Sequence, residues 1–109
     1  MTDFIVVYVT VASSEEGRRI ARALVEERLA ACVNVVKGVE SIYRWQGKVE
    51  QSQEELLVIK SKQELFSRLR DRVKALHSYT VPEIVALPVL EGGKEYLQWW
   101  AEQLQGQAS

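Results

Sequence analysis

Residues 32–50, CVNVVKGVESIYRWQGKVE, and residues 54–60, EELLVIK, decide the fold of this chain. The first segment is rich in β-branched and aromatic residues, which favour strands, and the second is a short apolar run. A polar break at 46–48 separates them, and Gly47 within it can take the positive φ that a tight turn requires. The pattern predicts a long β-hairpin.

The first arm of this hairpin is long for a strand. Residues 33–45 would span roughly 40 Å at about 3.3 Å per residue, which is about twice the usual strand length. Gly38 interrupts the arm, and a glycine inside a strand often marks a bulge. A domain of 109 residues is too small to cover such an arm. The length therefore predicts a partner outside the domain.

The composition predicts a single domain that covers residues 1–109. Hydrophobic residues make up 47% of the chain, enough for a core, and a net charge of −1 gives no basic patch that would favour nucleic acid. The longest apolar run, 4–9, is too short to span a membrane. No signal peptide is visible, and one cysteine cannot form an internal disulfide. We expect a cytoplasmic protein without nucleic-acid or membrane partners.

Strand and helix signals surround the hairpin. The run 4–9 predicts a central strand buried on both faces. Ser13 with Glu16, and Ser61 with Glu64, have the spacing of capping boxes, so a helix should begin at each serine. The apolar residues that then recur at helical spacing are Ile20, Ala21, Leu24 and Val25 in the first helix and Leu65, Phe66, Leu69, Val73 and Leu76 in the second.

The end of the chain adds a strand and a helix. Pro82 favours extended backbone before it, 84–87 predicts a fourth strand, and Pro88 places the end of that strand at an edge or a bulge. Tyr96, Leu97, Trp100 and Leu104 predict a last short helix, and 106–109 should be frayed. The order β-α-β-β-α-β with an extra C-terminal helix predicts an α+β, ferredoxin-like sandwich with two helices on one face of a four-stranded antiparallel sheet.

Five short segments carry a resemblance to a known family. They are ACVNV at 31–35, SIYRWQGK at 41–48, IK at 59–60, VPEI at 81–84 and YLQW at 96–99. With these segments the chain resembles the CutA family, the divalent cation tolerance proteins, over nearly its whole length. The SIYRWQGK run with the downstream VPEI is the most specific match.

The resemblance implies a tight homotrimer in which the hairpin arms join the sheets of neighbouring subunits. It also implies a role in tolerance to divalent metals, with copper binding in some members, and an architecture similar to that of the PII signalling trimers. The chain departs from the family at the copper ligands. Some members have a cysteine where this chain has Val9 and two histidines where it has Leu76 and His77, and Ser78 replaces a frequent proline.

Potential metal ligands are few, because the chain has one histidine and one cysteine and no paired ligand motif. A site would therefore need residues from neighbouring subunits. The candidates are His77 with Glu83 or Cys32, which could hold copper or another divalent cation such as zinc. The alternatives are that His77 is a helix C-terminal residue and that Cys32 is a small buried side chain.

A second candidate group is Arg44, Trp45, Lys60, Tyr79 and Glu83. Arg44 and Lys60 are cations on mostly apolar strands, so the group could bind a small anion or a metal complex in a cleft between subunits. The alternative is an ion-pair network in which Arg44 or Lys60 contacts Glu83.

The three tryptophans predict both core and interface contacts. Trp100 fits the apolar stripe of the last helix, whereas Trp99 lies about 100° away from it. Trp45 lies near the hairpin tip, and exposed aromatic residues of this size are typical of interfaces.

No catalytic motif is present, so the chain is predicted not to be an enzyme. The leading hypothesis is a non-enzymatic trimer that acts in divalent metal tolerance or response. The alternatives are a PII-like trimeric sensor of a small molecule and a structural trimer that organises a partner protein.

Overall fold

The computed structural model describes residues 2–105. In this range the elements are β1 Phe4–Val11, α1 Ser14–Glu26, β2 Cys32–Trp45, β3 Lys48–Lys62, α2 Phe66–Leu76, β4 Val85–Pro88 and α3 Lys94–Gln103. The strands form one antiparallel sheet in the order β2-β3-β1-β4. The ferredoxin-like α+β plan with an added C-terminal helix is confirmed. The predicted frayed tail, 106–109, lies outside the described residues.

The hairpin closes at the predicted turn. Trp45 pairs with Lys48 across a two-residue loop. Both loop residues have positive φ, 50° at Gln46 and 79° at Gly47. Two positive φ values are typical of a type I′ turn, whose twist matches that of the flanking strands. Gly47 adopts this conformation without the steric strain that a Cβ would add.

β2 and β3 remain paired beyond the rest of the sheet. β1 pairs with β3 only as far as Val11, which lies opposite Glu55, whereas β2 and β3 stay paired up to the turn. The register of that pairing shifts at Gly38, whose φ is 77°. The predicted bulge is therefore confirmed, and it lies where support from β1 ends. We call the two-stranded segment 39–54 the arm.

α1 and α2 cover one face of the sheet. Alternate residues of β1, namely Val7, Val9 and Val11, are fully buried there, as the two-residue period of a strand requires. They form a core with residues of α1, α2 and β3: Ile20, Leu24, Leu57, Ile59, Leu69 and Val73. At Gly17 a Cβ would lie 3.1 Å from the Val11 Cγ2 atom, so this glycine permits the close approach of α1.

α3 covers part of the opposite face. Phe4 and Val6 of β1 pack there with Trp100 and Leu104 in a second core. The indole Nε1–H of Trp100 donates to the Ser61 carbonyl oxygen at 3.0 Å. The indole of Trp100 thus has both an apolar environment and a partner for its N–H group. Its burial confirms its predicted place in the apolar stripe of the last helix.

The remainder of this second face is not covered by any element within residues 2–105. We call it the open sheet face and define it by four exposed residues on β1, β2 and β4: Tyr8, Val36, Val85 and Leu87. The prediction that β1 is buried on both faces is wrong for the single chain, because α3 reaches only its first half and Tyr8 remains 37% exposed.

Two predicted boundaries differ from the structure. Ser61 is a buried residue of β3 and not a helix cap, because its hydroxyl donates to the Leu29 carbonyl oxygen at 2.7 Å. A 3-10 turn at Gln63–Leu65 leads into α2 instead. The fourth strand begins at Val85, one residue later than predicted, and includes Pro88.

Replacing Ser61 by alanine should lower the free energy of unfolding by about 1–3 kcal/mol, because the buried Leu29 carbonyl then loses its donor. Urea denaturation followed by circular dichroism measures this difference. The control is Ser67→Ala on the exposed side of α2, which should change stability by less than about 0.5 kcal/mol. Equal losses in the two variants would contradict a specific role for the Ser61 hydroxyl.

Candidate functional site

His77 follows α2 as its C-cap residue, and its ring is fully buried. Its Nδ1 accepts the Tyr79 backbone N–H at 3.0 Å, and its Nε2 lies 2.8 Å from the Thr10 carbonyl oxygen. A carbonyl can only accept, so the neutral ring with its proton on Nε2 satisfies both contacts. A metal ion at either nitrogen would have to displace one of these hydrogen bonds.

Glu16 binds the segment that follows His77. The predicted N-cap is confirmed, since the Ser13 hydroxyl accepts the Glu16 backbone N–H at 3.2 Å. The Glu16 carboxylate accepts the Ser78 backbone N–H at 2.6 Å and the Ser78 hydroxyl at 3.1 Å. It also lies 3.5 Å from Nδ1 of His77. The carboxylate therefore connects α1 to the chain after α2.

The environment of Glu16 favours its ionised form. The residue is 5% exposed. Burial raises the pKa of its carboxyl, but the hydrogen bonds from the Ser78 backbone and hydroxyl, together with His77 and the Ala12 backbone, have the larger combined effect. The net pKa of Glu16 lies below its ordinary value. A carboxylate with such partners stabilises the fold as long as it stays ionised.

Tyr79 connects the same segment to the arm. Its hydroxyl donates to Oε2 of Glu54 at 2.8 Å, and Glu54 pairs with Val39 at the base of the arm. Burial, followed by the hydrogen bond and the charge of Glu54, raises the pKa of Tyr79 to about 12. The hydroxyl therefore keeps its proton and remains a donor at neutral pH.

Lys60 and Cys32 lie together at the other end of the sheet. They are direct cross-strand partners, with the Lys60 Nζ atom 4.0 Å from the Cys32 Sγ atom. Nζ also donates to the Tyr96 hydroxyl at 3.2 Å and lies 5.5 Å from the centre of that ring. Cys32 is half-buried.

The structure does not bring the three predicted metal ligands together in one chain. His77 contacts Thr10, whereas Cys32 lies in the same cross-strand row as Val6. These positions are four residues apart along β1, or roughly 13 Å. Glu83 is exposed in the loop before β4. Among residues 2–105, no group of three histidine, cysteine, aspartate or glutamate side chains is arranged to hold a metal ion.

The predicted cleft residues are likewise spread along the molecule. Arg44 and Trp45 are exposed at the tip of the arm, and Tyr79 lies at its base. Lys60 is 11 residues along β3 from Val49, the cross-strand partner of Arg44, which corresponds to roughly 36 Å. These side chains could share a cleft only if different subunits contribute them.

Sequence reasoning missed Glu16, Glu54 and Thr10 as parts of this polar cluster. The sequence assigned Glu16 only to the start of α1. Its carboxylate also binds Ser78, which lies 62 positions away in the sequence. The available signal for Glu54 was a carboxylate pair, Glu54 and Glu55, at the base of the arm. Ser14 donates its hydroxyl to Oε2 of Glu55, so this pair also contacts α1.

A model of the CutA1 divalent ion tolerance protein matches residues 5–103, which is almost the entire chain. The chain belongs to this CutA1 family.

Relatives and solved structures agree with the assignment. A divalent-cation tolerance protein CutA from Thermus thermophilus is 63% identical over 97 residues, which are 89% of this chain and 94% of that protein. The chloroplastic CutA of Arabidopsis thaliana is 53% identical over 95 residues, which are 87% of this chain and 52% of the plant protein. The chain thus spans about half the length of that relative.

The solved structures confirm the fold of the family. The Cut A1 structure from Thermus thermophilus has a TM-score of 0.90 at 61% identity, covering 92% of this chain and 97% of that one. The CutA structure from Archaeoglobus fulgidus has a TM-score of 0.91 at 43% identity, covering 94% and 99%.

At the family level, the role is tolerance to divalent cations. The family is named for tolerance and not for a reaction, and the absence of catalysis remains a prediction. The relatives differ in location, since the Archaeoglobus structure is named periplasmic and the Arabidopsis protein chloroplastic. A cytoplasmic location remains a prediction. None of the helices within residues 2–105 has the length and apolar character needed to cross a membrane.

Replacing Glu16 by alanine should lower the free energy of unfolding by about 2 kcal/mol at pH 7, because the Ser78 backbone N–H and hydroxyl lose their carboxylate acceptor. The pKa of Glu16 is lowered in the folded chain, so its stabilisation is complete above the unfolded pKa and is lost as the pH falls through the folded value. Denaturation at pH 7 and at successively lower pH should therefore show the two proteins converging in stability.

The matched control is Glu15→Ala, which removes an exposed carboxylate one residue earlier in α1. It should change stability by less than about 0.5 kcal/mol at either pH. A Glu16→Ala deficit that stays constant as the pH falls would contradict the role of its charge.

Proposed function

We propose that the chain acts in divalent-cation tolerance as a homotrimer that binds copper or another divalent cation between its subunits. The observation that carries the cation role is the 63% identity, over 89% of the chain, to a Thermus thermophilus protein named for divalent-cation tolerance. The trimer and the metal site rest on separate features of the molecule.

The arm supports assembly with further copies. Cross-strand partners share a face, so Trp45 lies on one face of the arm and Val49, opposite Arg44, on the other. Trp45 is 59% exposed and Val49 is 67% exposed. A two-fold contact that covers one face would leave the other in water. A ring of three gives each arm a neighbour on both faces, and the open sheet face supplies further apolar area.

The purified chain should have a mass three times its own 12.4 kDa in light scattering after size exclusion. A Val49→Glu and Ile42→Glu double variant should shift this mass towards the monomer, because two charges replace exposed apolar side chains on one face of the arm. The control, Val81→Glu, alters an 82% exposed valine outside the arm and should leave the trimer intact. A monomeric wild-type chain would contradict the proposal.

The metal site is proposed between subunits because residues 2–105 of one chain do not bring a fitting set of donors together. Imidazole, thiolate and carboxylate are suitable ligands for copper and zinc. His77 would have to give up one hydrogen bond, while the exposed carboxylate of Glu83 is accessible without such a loss. Cys32, which is half-buried, is the remaining candidate. We therefore expect weak binding that depends on assembly.

Isothermal titration of Cu²⁺ and Zn²⁺ into the assembled protein should show saturable binding near one ion per chain, lost in His77→Ala and weakened in Glu83→Ala. Circular dichroism and mass must show that each variant remains folded and assembled. Glu91→Ala, an exposed carboxylate outside the candidate set, is the control. Binding that is absent, or unchanged in both variants, would contradict the metal site.

The second candidate function is a PII-like sensor of a small molecule. It is favoured by two exposed side chains on opposite faces of the tip of the arm, Arg44 and Trp45. In a trimer each could contact a ligand at the boundary with a different neighbour, the guanidinium an anion and the indole an aromatic group. In the proposed trimer the tip could approach Lys60, Tyr79 or Glu83 of another subunit. An increase in melting temperature with nucleotides, but not with metal ions, would favour this function over the first.

A further inference from the structure

The arm has one point at which it can bend relative to the body of the protein. β1 ends opposite Glu55, and the bulge at Gly38 lies at the same level of β2. Gly38 has a φ of 77°, and a Cβ at this position would meet no atom within 4 Å. Among residues 2–105, nothing would contact a side chain at position 38, and β1 does not pair with β3 beyond this level.

Glu54 lies directly beside this bending point. It is the cross-strand partner of Val39, the first paired residue after the bulge. Its Oε2 accepts the Tyr79 hydroxyl at 2.8 Å. Glu54 belongs to the arm, and Tyr79 belongs to the loop after α2, so this hydrogen bond connects the base of the arm to the body.

The segment 77–79, which carries Tyr79, is held in place by contacts with β1 and α1. His77 contacts the Thr10 carbonyl on β1, and Ser78 is held by Glu16 on α1 through two hydrogen bonds. The His77 ring also packs against the Tyr79 ring at a centroid distance of 4.7 Å. The Tyr79 hydroxyl is therefore presented to the arm from a segment anchored to two other elements.

We propose that Tyr79 and Glu54 form a latch that sets the orientation of the arm about the Gly38 bulge, so that the segment 77–79 controls the position of the arm. This conformational device requires no metal ion, and the contacts that form it lie within one chain. A phenol donating to a carboxylate is a charge-assisted hydrogen bond, which is stronger than a neutral one. The Tyr79–Glu54 hydrogen bond is therefore stronger than the neutral Tyr43–Ser52 hydrogen bond within the arm.

Hydrogen exchange of the intact, assembled protein tests the latch. In Tyr79→Phe, the amides on both sides of the bulge, 36–40 and 53–56, should exchange about tenfold faster, because a hydrogen bond to a charged group is lost. The matched control is Tyr43→Phe. It removes a hydroxyl that contacts Ser52 within the arm at 3.3 Å, and it should leave exchange at these amides unchanged.

Glu54 provides a second, independent variant pair. Glu54→Gln keeps an oxygen that accepts the Tyr79 hydroxyl and should retain most of the protection, whereas Glu54→Ala should exchange like Tyr79→Phe. The latch is overturned if exchange at 36–40 and 53–56 stays at the wild-type rate in Tyr79→Phe, or rises equally in Tyr43→Phe. Equal exchange in Glu54→Gln and Glu54→Ala would overturn the hydrogen-bond assignment.

Discussion

The mismatch in length between β1 and the hairpin is the constraint on which the rest of the structure depends. β1 supports β3 only up to Glu55, while β2 and β3 stay paired to the turn. Up to that level, α1 and α2 cover one face of the sheet, and α3 covers part of the other. Beyond it, the arm projects with apolar side chains on both faces. The exposed arm, the bulge and the expectation of further subunits all follow from this mismatch.

Three consecutive residues connect the elements that meet where β1 ends. His77 bonds to β1, Ser78 to α1 and Tyr79 to the base of the arm. The bonds of His77 and Ser78 provide partners for polar groups of the buried residues Thr10 and Glu16, and leaving such groups without partners is costly in a protein interior. The family resemblance draws attention to His77 as a metal ligand, yet in this chain its ring nitrogens both serve the fold. Any metal site that uses His77 would therefore be coupled to the position of this segment.

The candidate site was predictable in its residue types but not in its geometry. The sequence indicated His77, Cys32 and Tyr79 as residues of interest, and the family resemblance connected them to divalent cations. It did not show that Cys32 lies four residues along the sheet from the level of His77, or that Lys60 contacts Tyr96 and not Glu83. Glu16 and Glu54 were missed because their partners are distant in the sequence, and local spacing carries no information about such pairs.

Local sequence patterns were enough to predict the order of elements, the hairpin with its turn and bulge, and the N-cap at Ser13. These features depend on local backbone preferences and on the periodicity of apolar residues, which neighbouring residues already encode. The folded chain was needed to show that Ser61 lies inside a strand, that the second face of β1 is partly open, and which groups bond to the segment 77–79. Those outcomes depend on which strands are adjacent and where each one stops, and contacts over tens of residues fix both.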